Sequence, residues 1–239
     1  MTVEDLHSLP DDWNRALAVV AHPDDIEFGT SSAVAAWTAA GKSVSYLLVT
    51  RGQAGIDGLS PAESAVVREA EQRASAKIVG VSEVEFMDHR DGEIEYGLGL
   101  RRDIAAAIRR HRPDFVLGFN GRETTSTGKW NTPDHRHTAH AVLDAVGDAG
   151  NRWIFEDLGL EPWSGVTYVA MANSPQPTHA VDVTDHLEAG IASLEAHRAY
   201  LGGLNPPVTS VAEPMKAFAE LVGRRFGGRP AVALEIIAR

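Results

Sequence analysis

The sequence predicts a three-layer α/β/α, Rossmann-like domain with a mostly parallel sheet. Short apolar runs at Arg15–Ala21, Val44–Thr50 and Phe115–Phe119 read as strands buried on both faces. Helical patterns with capping signals separate them, and the links are short, which is the alternation that builds such a sheet. A length of 239 residues suits a single domain spanning residues 1–239.

The elements follow in order. After the first strand, Thr30 and Ser31 are placed to cap a helix ending at Gly41. The strand Val44–Thr50 comes next. Ser60-Pro61-Ala62-Glu63 is a capping box with proline at the first helical position, and it opens a helix to about Gly80. Val84–Met87 is a strand, Leu100–His111 an amphipathic helix, Phe115–Phe119 a strand and Asp134–Val146 a helix. Val166–Ala170 and Ala180–Val183 are strand candidates, Thr184–Tyr200 a helix, Gly202–Pro207 a loop and Ala231–Ile237 a closing strand. There is no internal repeat.

Composition narrows the function. With 44% hydrophobic and 23% charged residues the chain is globular rather than disordered. It has no run of 18 apolar residues, so no membrane span is expected. The start Met1-Thr2-Val3-Glu4-Asp5 lacks the basic and apolar regions of a signal peptide, and cytoplasm is the expected address. A net charge of −11 argues against nucleic acid as partner. The absence of cysteine removes thiolate chemistry, so any metal must be held by imidazole and carboxylate.

Ligands of wound α/β sheets bind beyond the carboxyl ends of the strands. His22-Pro23-Asp24-Asp25-Ile26-Glu27 stands there, directly after the first strand. His22 and Asp25 offer a nitrogen and an oxygen ligand, while the neighbouring carboxylate of Asp24 points elsewhere. The plain alternative is a polar turn that caps the next helix. After the fourth strand, Asn131–His140 holds His135, His137 and His140. Helical spacing favours the 137/140 pair. The helix dipole instead favours His135, which stands nearest the N-terminus and is kept neutral there. His22, Asp25 and one of these histidines would make a two-histidine, one-carboxylate centre with an open position, suited to catalytic zinc or to iron(II).

Ala21-His22-Pro23-Asp24-Asp25-Ile26-Glu27, Arg68-Glu69-Ala70-Glu71 and Pro133-Asp134-His135 resemble the PIG-L-type (LmbE-like) zinc de-N-acetylases. That family includes N-acetylglucosaminyl-phosphatidylinositol de-N-acetylases, mycothiol and bacillithiol pathway deacetylases, mycothiol-conjugate amidases and glycopeptide-antibiotic deacetylases. The similarity runs from about Leu17 to Val146 and is echoed over His179–Tyr200. The resemblance implies His22, Asp25 and His135 as zinc ligands and Asp24 as general base. It implies Arg68 and Asp91 as contacts to the sugar. Between residues of one helix, Arg68 pairing with Glu63 or Glu71 is the alternative, and Asp91-Gly92 is also a common turn.

The chain departs from the family at Thr132-Pro133-Asp134-His135, where His-Pro-Asp-His is usual. The missing histidine serves there in stabilising the oxyanion or protonating the amine. The resemblance implies Thr132 as a substrate contact in its place, one that can donate a hydrogen bond but not a charge. Loss of one oxyanion donor costs about 10²–10³ in turnover, unless His89, Asn131, His137 or His140 substitutes.

The function implied is a zinc amidohydrolase removing an N-acetyl or other N-acyl group from an amino-sugar-containing small molecule. Runner-up readings are a mycothiol-type conjugate amidase acting on a larger acyl group and a catalytically weak binder of sugar conjugates. A nucleotide-binding domain is disfavoured, because Asp24 and Asp25 stand where a glycine-rich turn would meet a pyrophosphate. Trp130, Trp153, Trp163, Met171 and Asn173–Pro177 are candidate pocket walls, and Gly52, Gly55 and Gly58 make the Arg51–Ser60 loop a mobile rim or a connector. His179 and His197 take no role from spacing, and a homo-oligomer is left open.

Overall fold

Strand alternation sets the layers. In β2 (Arg15–Val20), Ala16, Ala18 and Val20 join one hydrophobic core, while Leu17 and Val19 join the other. This is the period-two division of a strand covered on both faces. The computed structural model describes residues 5–238, so the acidic opening Met1–Glu4 lies outside the described residues. Together with β1 (His7–Ser8), β3 (Ser43–Leu48), β4 (Glu83–Phe86), β5 (Phe115–Phe119), β6 (Tyr168–Ala172), β7 (His179–Asp182) and β8 (Ala231–Ile237), β2 forms one sheet. Its order is β1-β7-β8-β6-β5-β2-β3-β4. β8 runs antiparallel to both its neighbours, and the other pairings are parallel.

Helices cover both faces. α4 (Leu98–His111) buries Leu100, Ile104 and Ile108 with Ala141, Val142 and Val146 of α5 (Pro133–Gly150) against one side. α2 (Ser31–Ala39), the end of α3 (Pro61–Ile78) and α6 (Leu187–Glu195) cover the other. The capping box at Ser60 and Glu63 is present in full. No helix among the described residues is long and apolar enough to cross a membrane.

Three local expectations are corrected. Thr30 and Ser31 do not cap α2. Their hydroxyls donate backwards to the Ile26 and Glu27 carbonyls, closing a short α1 (Asp25–Gly29) that periodicity did not reveal. The helix expected over Thr184–Tyr200 is two helices. Asp182 holds Thr184 in a turn, α6 starts at Leu187, and α7 (Arg198–Gly203) begins afresh because Glu71 of α3 accepts from the Ala199 and Tyr200 amides. α8 (Ala212–Gly223) was also not foreseen.

α2 and α6 meet at Gly190, whose carbonyl accepts from the Ser31 hydroxyl. A Cβ there would stand 2.0 Å from Ser32 Oγ and 2.7 Å from its amide nitrogen. Gly190→Ala is therefore expected to destabilise the fold by about 1–3 kcal/mol, read as a lower urea midpoint. An unchanged midpoint would mean the two helices are not in this close contact.

Candidate metal centre

Parallel pairing of β2 with β5 sets Val19 opposite Gly118. The turn after β2 and the segment leading into α5 therefore leave the sheet side by side, where the strand order reverses. At that turn Asp24 adopts a left-handed backbone (φ 102°), an uncommon conformation for a residue with a side chain. Its amide donates to Gln72 Oε1 at 3.0 Å, which holds the turn.

The kink sends the two aspartates apart. Asp25 Oδ1 lies 3.0 Å from His135 Nε2, and Asp25 Oδ2 lies 3.6 Å from His22 Nδ1. The ligand atoms of His22, Asp25 and His135 all fall within 4.8 Å of one another. Each imidazole is fixed through its other nitrogen: His22 Nε2 meets Asp134 Oδ2 at 3.0 Å, and His135 Nδ1 meets Asn131 Oδ1 at 2.8 Å. Asp134 is itself held by the Gly92 and Ile94 amides. Such outer contacts fix the tautomer and ring orientation that a metal requires.

Electrostatics favour a cation here. Burial works against imidazolium at His22, yet the hydrogen bonds it donates to the Asp134, Asp25 and Asp91 carboxylates lift it well above its ordinary range. Burial opposes the charge on Asp25 too, but His135 and His22 pull its carboxyl far below the usual value. Both shifts describe a pocket that draws in positive charge. Two imidazoles and one carboxylate with satisfied outer partners suit zinc or iron(II). A second trio, His22, Asp91 and Asp134, shares His22, but both Asp134 oxygens already accept backbone amides. A third, Glu83, Glu85 and His111, lies at the β4 edge, with Ser45 and Arg110 already on its carboxylates.

Asp24 turns toward buried Arg68, whose Nη2 lies 2.7 Å from its Oδ1 and also donates to the Pro23 carbonyl. Burial, opposed by Arg68, leaves the Asp24 carboxyl pushed up to about 6. Arg68 pairs with neither Glu63 nor Glu71. Its guanidinium carbon sits 3.7 Å from the Tyr200 ring centroid, so it contacts Asp24 and Tyr200 rather than open space. Gly52 and Gly55 pack onto it, and a Cβ at Gly55 would stand 2.1 Å from Nη1. That loop is glycine-rich because it must lie flat on a buried guanidinium. Asp91 accepts the Ala54 amide at 2.8 Å and stands 3.1 Å from His22 Nε2, tying loop to site.

Of the clustered histidines, His137 donates to the Ile94 carbonyl and His140 is exposed beside Tyr96. The helical-spacing preference for that pair thus fails, and His135 alone of the three joins the cluster. Thr132 caps α5, its hydroxyl accepting from the His135 amide at 3.3 Å. His89 bonds Asp103, and Asn131 is engaged by His135, Asn120 and Arg122. Sequence reasoning missed Tyr200, whose hydroxyl bonds Asp24, and Glu71, which starts the helix carrying it. It also missed the polar layer below, where Glu27 accepts from Gln72 and Ser75 beside fully buried His197. Only non-local contacts reveal these roles. A cavity of about 590 Å³ opens beside Asp24, Asp25, His135 and Tyr200.

Residues 17–146 match the family described as GlcNAc-PI de-N-acetylase. The chain is 30% identical to a diacetylchitobiose deacetylase of Thermococcus kodakarensis, over 95% of this chain and 84% of that one. Among solved structures it resembles the N,N'-diacetylchitobiose deacetylase of Pyrococcus horikoshii, with a TM-score of 0.84 at 25% identity, covering 95% of this chain and 84% of that one. The 4-carboxy-2-hydroxymuconate hydratase GalB of Pseudomonas putida shares the fold with a TM-score of 0.76 at 19% identity, over 95% and 97% of the two chains.

Because Thr132 carries the N-cap hydrogen bond of α5, Thr132→Ala should destabilise the fold by about 1 kcal/mol, measured by urea unfolding. Equal stability would mean the cap is not formed.

Proposed function

This chain belongs to the PIG-L (LmbE-like) family of de-N-acetylases, and we propose that it hydrolyses the N-acetyl amide of an N-acetylglucosamine-containing small molecule with the help of one zinc ion. The observation that carries this reading is the meeting of His22, Asp25 and His135 next to Asp24, where Asp24, Asp25 and His135 line one cavity. Zinc held by those three residues would polarise the amide carbonyl and lower the pKa of water.

The protein's own residues supply the proton transfers. Asp24 accepts a proton from the water as its oxygen forms a bond to the amide carbon. It returns that proton to the nitrogen as the C–N bond breaks, so acetate and a free amine leave. Arg68 below and Tyr200 beside it orient the Asp24 carboxylate, and Gln72 holds its backbone turn. Asp134 and Asn131 hydrogen-bond one ring nitrogen each of His22 and His135 and so would hold both rings toward a bound ion. In this reading Thr132, the N-cap of α5, and Asp91, which accepts the Ala54 amide, would contact the substrate.

Asp24→Asn is expected to retain zinc while lowering acetate release from N-acetylglucosaminides by about 10²–10⁴-fold. Turnover within a few-fold of the parent protein would remove Asp24 from the role of base. His135→Ala should lose zinc by atomic emission analysis, whereas His137→Ala should keep it; the reverse pattern would refute the ligand assignment. Chelation should abolish turnover, and adding back zinc or iron(II) separately identifies the working metal.

A further inference from the structure

We propose that the substrate carries an extended, uncharged apolar chain, and that this chain lies in a chamber between α1, α6 and α8 that continues from the metal-facing residues. The proposal rests on the reading of amide hydrolysis above and names the substrate class for the same cavity.

The cavity of about 590 Å³ has the size of a site for a drug-sized ligand, far more than an acetyl group requires. Asp24, Asp25 and His135 stand at one end. The other end is walled by Phe28 of α1, Leu187 of α6, Val211, Met215 and Phe218 at α8, and Val232 of β8. Phe28 and Phe218 are 48% and 39% exposed, large aromatic side chains left uncovered on the same chamber. The hydroxyls of Thr30 and Ser31, which also line it, are already donated to the Ile26, Glu27 and Gly190 carbonyls. Neither is left as a donor for sugar hydroxyls, and the side chains of Phe28, Leu187, Val211, Met215 and Phe218 carry none.

Charge gives the same answer. Lys129 is the one lysine or arginine among the described lining residues, and it belongs to the loop before α5 rather than to the α6–α8 wall. A phosphate or carboxylate at the apolar end would be desolvated without a partner. An alkyl or acyl chain instead gains from burial. Continuity with Asp25 and His135 assigns the chamber to a part of the substrate, because a molecule whose amide sits at the cluster has this space as its direct extension.

The chain can be attached on either side of the scissile amide, and two substrate series separate the cases. One is methyl, butyl and octyl N-acetyl-β-glucosaminides; the other is N-acetyl, N-butanoyl and N-octanoyl glucosamine, each kept below micelle-forming concentration. In one series kcat/KM should rise about two- to fourfold per methylene, as burial of each CH₂ allows. Phe218→Asp and Met215→Asp should each reduce the octyl-to-methyl or octanoyl-to-acetyl ratio to within about twofold. Two flat series, with the shortest substrates still turned over, overturn the chamber and leave the hydrolase reading intact. If no substrate is turned over, that reading fails, and calorimetry with the methyl and octyl glycosides still tests the chamber. Tighter octyl binding that Phe218→Asp removes supports it, and equal binding overturns it. A flat series together with a dimer that Phe218→Asp dissociates assigns the face to a second copy of the chain and also overturns it.

Discussion

The register between β2 and β5 is the constraint on which the site depends. It aligns the turn after Val20 with the loop that opens α5, and so brings one imidazole and one carboxylate to another imidazole more than a hundred positions along the chain. A slip of one residue would reverse the faces of β2 and move the turn by about 3.3 Å. That displacement is as large as the 3.0 and 3.6 Å separations that join Asp25 to His135 and His22, and would pull the set apart. Two-sided burial of β2 makes such a slip costly, because Leu17 and Val19 would exchange cores with Ala16 and Ala18. The hydrophobic pattern of one strand thus protects the geometry of a polar site.

Beneath the site lies a charged layer that hydrophobic patterning does not describe. Asp24, Glu27, Arg68, Gln72 and His197 are all buried, and each meets at least one of the others. Removing one partner of such a group leaves the other uncompensated, a loss of about 3–5 kcal/mol. The same enclosure keeps Asp24 in its left-handed turn and raises its carboxyl. Stability and reactivity therefore rest on the same contacts.

What was legible in the sequence was local. Apolar runs marked Phe115–Phe119 and Ala231–Ile237 at their observed bounds, the capping box marked the start of α3, and His22–Glu27 stood out by following a strand. What failed was settled by contacts distant in sequence. Spacing on one helix favoured His137 with His140, but Ile94 takes the first and the second is exposed. That Gly52, Gly55 and Tyr200 enclose Arg68, which the resemblance implies as a contact to the sugar, was equally hidden. The break before α7 depends on Glu71, a residue of another helix. Fold likeness is also a weak guide to chemistry, since a hydratase shares this architecture at 19% identity. The deacetylase reading has the His22, Asp25 and His135 cluster for its chemistry, and sequence similarity along 95% of the chain supports it.

The departure at Thr132 and the apolar chamber bear on one another. Thr132 caps the helix that presents His135, and its hydroxyl brings no positive charge to that position. With that charge absent, the polar end is defined by Asp24, Asp25, His135 and the neutral hydroxyl of Tyr200, and the opposite end by Phe28 and α8. An apolar chain filling that end would exclude water from the side facing Asp24. A lower local dielectric strengthens every remaining electrostatic contact, including those of Arg68 and Tyr200 with Asp24. Binding energy from a part of the substrate remote from the amide would then tighten the groups that move its proton, which is how distant contacts raise turnover rather than affinity alone.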